Sequence, residues 1–77
     1  MKKILITYEA RQLGSNEHIE DTLVITRPCA ELFNDVLKNG YDAFSSCEIK
    51  DAVRAVAQLR GHIVFDVSSI TAFIDEN

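Results

Sequence analysis

The fold of this chain is decided by residues 45–74, whose sequence is SSCEIKDAVRAVAQLRGHIVFDVSSITAFI. This stretch predicts a helix followed directly by a strand, with both ends of the helix marked. Ser45 and Glu48 have the spacing of a capping box, in which the two side chains satisfy free backbone N–H groups at the start of a helix. Gly61 favours a left-handed stop at its end. Between them, apolar residues recur at helical spacing: Ile49, Ala52, Val53, Val56 and Leu59.

Residues 62–67 follow this helix and are rich in β-branched side chains, which predicts a strand. The apolar positions then change face, because Ile70, Ala72 and Ile74 have the opposite parity to Ile63, Phe65 and Val67. Ser68-Ser69 lies at this change. We therefore predict a bulge or bend there that splits one long strand into two short ones. A single strand buried on both faces is the alternative.

The amino-terminal part of the chain predicts a β-hairpin. Residues 3–8 alternate, with Ile4, Ile6 and Tyr8 on one face, and residues 21–26 form a second strand with Leu23 and Ile25 on one face. The connection between them is polar and much longer than the usual two to five residues of a hairpin loop. Such a loop is interpreted as a binding element or a mobile tip.

Residues 28–38 predict the first of two helices. Pro28 suits the first helical turn, because its missing N–H has no partner there in any case. Asn39-Gly40 provides the stop, and residues 41–44 form a short connector with two aromatic side chains. The apolar stripe of this helix consists of Cys29, Leu32, Phe33, Val36 and Leu37.

The predicted element order is therefore ββααβ within one domain, residues 1–77, of the α+β class. Two helices packed on one face of a three-stranded, mainly antiparallel sheet would bury every apolar stripe. The last strand could pair with the first or the second. The opposite sheet face would carry Leu5, Thr7, Val24 and Val64, which is more apolar than a solvated face requires and indicates a protein partner or a second copy of the chain.

The charge of the chain narrows the range of partners. Twelve acidic and eight basic residues give a formal net charge of −4, which disfavours nonspecific binding to nucleic acid. The basic residues near the strand ends are interpreted as solubilising charges: Lys2, Lys3, Arg11 and Arg27. No apolar run reaches the length of a secretion signal or a membrane span, so we expect a cytoplasmic protein without membrane contact.

The sequence carries no recognisable catalytic or cofactor motif. Its glycines, Gly14, Gly40 and Gly61, do not have the spacing of a phosphate-binding loop. His18 and His62 have no second ligand at metal-binding spacing. We therefore expect no enzyme activity, no cofactor and no metal, and we interpret His62 as a surface or rim residue.

Two cysteines, Cys29 and Cys47, lie in the first turns of the predicted helices, where the helix macrodipole favours a thiolate. A thiol-based redox sensor is therefore an alternative function. The simpler interpretation is that both are small buried residues that remain thiols in a reducing cytosol.

The leading functional hypothesis is a small acidic protein-binding module that acts as an inhibitor, adaptor or regulator. Proteins of this size and charge are frequent among phage and mobile-element accessory factors, including anti-CRISPR inhibitors of bacterial defence. A homodimeric scaffold that pairs through its sheet face or edge is the structural alternative. We expect partner contacts from the hairpin loop, an acidic rim and the open sheet face, at Gly14, Ser15, Asn16, Glu17, Glu20, Asp21, Leu5, Thr7 and Val24.

Overall fold

The predicted order of elements is confirmed by a computed structural model, which describes residues 1–40, 42 and 47–76. The chain forms a three-stranded antiparallel sheet and two helices in the order ββααβ. Ser45 of the predicted capping box and most of the 41–44 connector lie outside the described residues. The elements are β1 (Lys2–Gln12), β2 (His18–Ile25), α1 (Ala30–Asn39), α2 (Cys47–Arg60) and β3 (His62–Ile74).

Strand β1 lies at the centre of the sheet, in the order β2-β1-β3. The even-numbered residues from position 4 to position 10 are all fully buried, namely Ile4, Ile6, Tyr8 and Ala10, which confirms the predicted alternation. The last strand therefore pairs with the first. Both outer strands run antiparallel to β1 and hence parallel to each other, so the two helices form the crossover between them.

Both helices pack on the face of the sheet that carries the even-numbered residues of β1. They contribute Leu32, Phe33, Val36, Ile49 and Val53 to the same buried cluster as those residues. Neither helix, over the described residues, is long and apolar enough to cross a membrane.

Two leucines assigned to the apolar stripes lie outside the core. Leu59 is 88% exposed, and Ala57 is buried in its place. At 3.6 residues per turn, Leu59 lies about 120° around α2 from Val53, whereas Ala57 lies only about 40° away. Leu37 is also exposed, because it lies at the edge of the stripe centred between Phe33 and Val36.

The predicted bulge near Ser68-Ser69 is confirmed, but it does not divide the strand. Thr7 pairs with Ser69 and Tyr8 with Val67, so Ser68 is the extra residue in a continuous β3. The bulge lets Val67 face the core together with Ile70, although their positions differ in parity.

A second bulge, which the sequence pattern did not indicate, lies at Phe65. Glu9 pairs with Asp66 and Ala10 with Val64, so Phe65 is the extra residue and is 57% exposed. Val64 therefore lies on the helix-covered face beside Ala10, and its assignment to the open face was wrong. The predicted common face of Ile63, Phe65 and Val67 was wrong for the same reason.

The hairpin loop is shorter than predicted, because β2 begins at His18 and leaves only residues 13–17 between the strands. The N–H of Leu13 donates to the carbonyl of Gly61 at 2.7 Å, which ties the loop to the end of α2. Residues 18–20 were predicted as loop because their side chains are mainly polar. In the structure they form the solvated end of an edge strand.

Helix α1 begins at Ala30, two residues after the predicted start, because Cys29 is its N-cap and its thiol accepts a hydrogen bond from the N–H of Leu32. The predicted stop at Gly61 is confirmed, with a φ of 71°. A Cβ at Gly61 would also lie 3.1 Å from Nε2 of Gln12, so both backbone and space favour glycine there.

The alternation of β1 generates the first prediction. Substitution Ile6→Ala removes a fully buried side chain and should lower the free energy of unfolding by about 2–5 kcal/mol, whereas Thr7→Ala on the open face should cost less than about 1 kcal/mol. Urea denaturation of the two variants measures this difference. Equal losses at these neighbouring positions would contradict the assignment of the two faces.

Candidate functional site

The face of the sheet away from the helices, here called the outer face, is formed by the odd-numbered residues of β1 and their cross-strand partners. No described helix covers it. The β1 residues on this face are half-buried by their neighbours. They are Lys3, Leu5, Thr7, Glu9 and Arg11.

One end of the outer face is apolar. Leu5 lies directly opposite Val24 of β2, which is 44% exposed. Phe73 of β3 pairs with Lys3 at the next outer-face position of β1. The structure thus places Leu5, Thr7 and Val24 together on the open face, as the sequence predicted.

Three carboxylates form a row across the middle of the outer face, here called the acidic row. Glu9 of β1 lies directly opposite Glu20 of β2 on one side and Asp66 of β3 on the other. Like charges in directly opposite positions destabilise a sheet. His18 contacts Glu9, with 3.5 Å between its Nε2 and Oε1 of Glu9.

The opposite end of the outer face carries two rings. His18 and Phe65 have ring centroids 5.9 Å apart, and the bulge at Phe65 exposes its ring. The hairpin loop lies at this end, where Arg11 pairs with His18. The acidic row therefore lies between the aromatic pair and a polar row of Thr7, Thr22 and Ser69, and the apolar end lies beyond that polar row.

The acidic rim expected from the sequence is divided between different parts of the molecule. Glu20 belongs to the acidic row, whereas Asp21 follows it in β2 and so points to the helix-covered face. Glu17 lies in the loop, where its N–H donates to Oγ of Ser15 at 3.1 Å. Gly14, Ser15 and Asn16 occupy the same loop, with a φ of 84° at Gly14.

A second polar group lies on the helix-covered face, around the hydroxyl of Tyr8. This Tyr8 cluster consists of Tyr8, Asp21, Arg60 and His62. The Tyr8 oxygen lies 2.8 Å from Nδ1 of His62 and 3.4 Å from both Oδ2 of Asp21 and a guanidinium nitrogen of Arg60. Arg60 also contacts Oδ2 of Asp21 at 2.8 Å and donates to the carbonyl of Thr22 at 2.6 Å.

The charges of the Tyr8 cluster stabilise one another. The hydrogen bond from the N–H of Thr22, and then the charge of Arg60, lower the pKa of Asp21, while partial burial opposes them. The pKa of Arg60 is raised, first by its hydrogen bond to Tyr8 and then by Asp21. The carboxylate of Asp21 is thus neutralised by Arg60.

The hydroxyl of Tyr8 has one proton and two acceptors within reach. When Nδ1 of His62 carries no proton, the hydroxyl donates to it at 2.8 Å. When Nδ1 carries a proton, it donates to the hydroxyl oxygen, whose own proton then turns to Asp21.

The interpretation of His62 as a surface or rim residue was wrong, since its side chain is only 8% exposed. Two patterns in the sequence indicated this cluster. Asp21 has the same parity as Leu23 and Ile25 in β2, and Arg60 lies only about 20° around α2 from Val53. Both side chains therefore belong to inward-facing rows.

The expected burial of Cys29 was also wrong, because this residue is exposed. Its sulfur lies 3.7 Å from Oε2 of Glu48. The side chain of Cys47 lies outside the described residues, so the thiol hypothesis stays a prediction. Within residues 1–40, 42 and 47–76, no three His, Cys, Asp or Glu side chains are arranged to hold a metal ion.

No protein-family model matches this chain, and no significantly similar curated protein or solved structure was found. We therefore infer function from the geometry of the outer face and of the Tyr8 cluster.

The lowered pKa of Asp21 generates the second prediction. Its ionised form stabilises the fold above the unfolded-state pKa of about 3.8, and this contribution disappears as the pH falls through the lower folded-state pKa. Asp21→Asn should therefore cost up to about 1 kcal/mol at pH 7 and progressively less below about pH 4. Urea denaturation between pH 2 and 7 measures the difference.

Glu20→Gln is the matched control for this experiment, because it removes the adjacent carboxylate from the other face of the same strand. It should leave the stability at pH 7 unchanged or raised. A constant difference between the wild type and Asp21→Asn at every pH would contradict the proposed ion pair.

The hydrogen bond between Tyr8 and His62 generates the third prediction. Tyr8→Phe leaves Nδ1 of a buried imidazole without its partner and should cost about 1–3 kcal/mol. Tyr8→Phe combined with His62→Leu should cost less than the sum of the single variants, because no orphaned polar atom remains. A double-mutant cycle measures this coupling. Strict additivity would show that the contact does not stabilise the fold.

Proposed function

We propose that this protein is a non-enzymatic binding module whose outer face binds a basic surface of a protein partner. The observation that carries the proposal is the acidic row, in which Glu9 lies between Glu20 and Asp66. Without catalysis, such a module acts only by covering part of the partner's surface. It therefore acts as an inhibitor, adaptor or regulator.

The cost of the acidic row supports this proposal. Glu9 and Glu20 lie directly opposite each other, and this repulsion reduces the stability of the free protein. On the other face of the same sheet, Asp21 is paired with Arg60 at 2.8 Å. Lysine or arginine side chains of a partner would relieve the repulsion in the acidic row, so part of the binding energy comes from removing a destabilising feature of the free state.

The apolar ends of the outer face supply the other component of an interface. Protein interfaces combine buried apolar or aromatic anchors with a polar surround. Leu5, Val24 and Phe73 lie at one end, and the exposed ring of Phe65 lies at the other. The net charge of −4 adds long-range attraction to a basic partner and should speed association at low ionic strength.

The same features disfavour the alternative of a homodimer. Two outer faces brought together would place one acidic row against another. Pairing through the sheet edges is hindered in β3 by the bulges at Phe65 and Ser68, because they interrupt the regular spacing that an added strand requires. In β2, the guanidinium of Arg60 already occupies the carbonyl of Thr22.

Neutralising the acidic row is the test of this proposal. The triple variant Glu9→Gln, Glu20→Gln and Asp66→Asn should raise the free energy of unfolding, because it removes the opposed charges. It should also lose the partner that the wild type captures from nuclease-treated lysate of the source cells. The Asp66→Asn side chain still has an oxygen that can accept from the N–H of Val67.

The matched control is the triple variant Glu31→Gln, Asp51→Asn and Glu76→Gln, which makes the same charge change at exposed positions outside the acidic row. It should retain the partner and show no comparable gain in stability. If both triple variants bind alike, net charge rather than the acidic row governs association, and the proposed interface is wrong.

A further inference from the structure

His18 lies beside the acidic row without being part of it. It begins β2 and faces the outer side of the sheet, because it has the same parity in that strand as Glu20. Its Nε2 lies 3.5 Å from Oε1 of Glu9, which is the residue of the row that lies between Glu20 and Asp66. The imidazole thus touches the central carboxylate of the proposed interface.

The ring of Phe65 packs beside the imidazole of His18. The two ring centroids are 5.9 Å apart and the ring planes are inclined by 41°. Aromatic rings at such separations attract each other. His18 belongs to β2 and Phe65 to β3, which lie on opposite sides of β1, so this contact spans the central strand. It therefore helps to keep the imidazole above the strand that carries Glu9.

The other charged side chains near His18 are mainly acidic. They lie next to it in the chain, on the same face of β2, or across the sheet in β3, and they are Glu17, Glu20 and Asp66. Its cross-strand partner in β1 is the cation Arg11, whose guanidinium is turned towards the hairpin loop and donates to the carbonyl of Ser15 at 3.2 Å. A positive charge on His18 therefore lies mainly among acidic side chains.

We propose that His18 makes the outer face sensitive to pH, so that a basic partner is bound at neutral pH and released more readily in mildly acidic conditions. This inference rests on the proposed function. Histidine is the side chain whose charge ordinarily changes between about pH 5 and 8. Protonated His18 forms an ion pair with Glu9 and so supplies, within the protein, a positive charge that the partner otherwise brings.

Protonation of His18 lowers the affinity for a basic partner in two ways. It offsets the repulsion between Glu9 and Glu20 that the partner would relieve, and it repels the cations of the partner. The side chains of His18 and Glu9 are both exposed, and exposed ion pairs are weak. We therefore expect a loss of affinity of about two- to fivefold. Because coupling is reciprocal, binding of the partner should also release protons.

The test uses the ¹⁵N-labelled full chain and N-acetyl-hexalysine amide at low ionic strength, where screening is weak. The ammonium groups of this peptide keep their charge between pH 5.5 and 7.5. At pH 7.5, the peptide should shift the amide signals of Glu9, Glu20 and Asp66. The dissociation constant fitted from these shifts should be about two- to fivefold higher at pH 5.5.

The variant His18→Gln should bind the peptide at pH 7.5 as the wild type does and should lose most of the pH dependence. His62 is present in both proteins, so the comparison isolates His18. The matched control combines His18→Gln with Asn34→His, which restores one imidazole at an exposed position of α1, on the other side of the sheet. This double variant should behave as His18→Gln does.

Proton release gives a second measurement. Calorimetric titration with the same peptide at pH 6.5, in two buffers of different ionisation enthalpy, should show that the wild type releases protons on binding. His18→Gln should release fewer protons. Equal release by the two proteins would overturn the inference.

The outcomes separate this inference from the proposed function. If the peptide shifts no outer-face amide at pH 7.5, both are wrong, because the acidic row then fails to recognise clustered cations. Binding at the outer face with the same pH dependence in the wild type and His18→Gln overturns the inference alone. Recovery of the pH dependence in the double variant with Asn34→His also overturns it, because overall charge would then govern the affinity.

Discussion

The central position of β1 is the constraint on which the rest of the structure depends. Its even-numbered side chains from position 4 to position 10 are fully buried beneath the helices, and both edges of its backbone are used, one by β2 and the other by β3. Because successive residues of a strand face opposite sides, burial of Tyr8 fixes Glu9 on the outer face. The polar cluster and the acidic row are therefore consequences of one strand and its register.

The carboxylates on the two faces of the sheet have different surroundings. Asp21 is balanced by Arg60, the N–H of Thr22 and the hydroxyl of Tyr8. Glu9 and Glu20 lie opposite each other on the open side. A small protein has a small free energy of unfolding. The repulsion on the outer face must therefore be offset by good packing and charge pairing on the helix-covered face.

The sequence predicts the elements of this fold well because each depends on a local pattern. Alternation in β1, helical spacing before Gly61 and the parity change at Ser68-Ser69 are all visible within short windows. The acidic row could not be found in this way, because Glu9, Glu20 and Asp66 become neighbours only through the register of three strands. The bulge at Phe65 exchanges the faces of Ile63 and Val64, and neither residue carries a local signal of that exchange.

The wrong placements of Leu59 and His62 have local causes at the end of α2 and the start of β3. Arg60 and Leu59 are consecutive, and hydrophobicity favours Leu59 for the core. The position of Arg60 around the axis of α2 instead turns its side chain towards the sheet, where its guanidinium contacts Tyr8 and Asp21. His62 was assigned to the rim because it is polar and begins a strand, but the short turn at Gly61 places it beside the same hydroxyl.

The central placement of the first strand also determines the order in which the sheet can be completed. Ile6 pairs with Leu23 through a short hairpin, but its other partner is Ile70, near the opposite end of the chain. Such distant pairings form slowly, because a long loop must close before any contact compensates for its entropy. Until β3 arrives, one edge of β1 remains unpaired and its apolar row is only partly covered. A chain in which β3 has not yet paired is therefore more exposed to aggregation than the native protein.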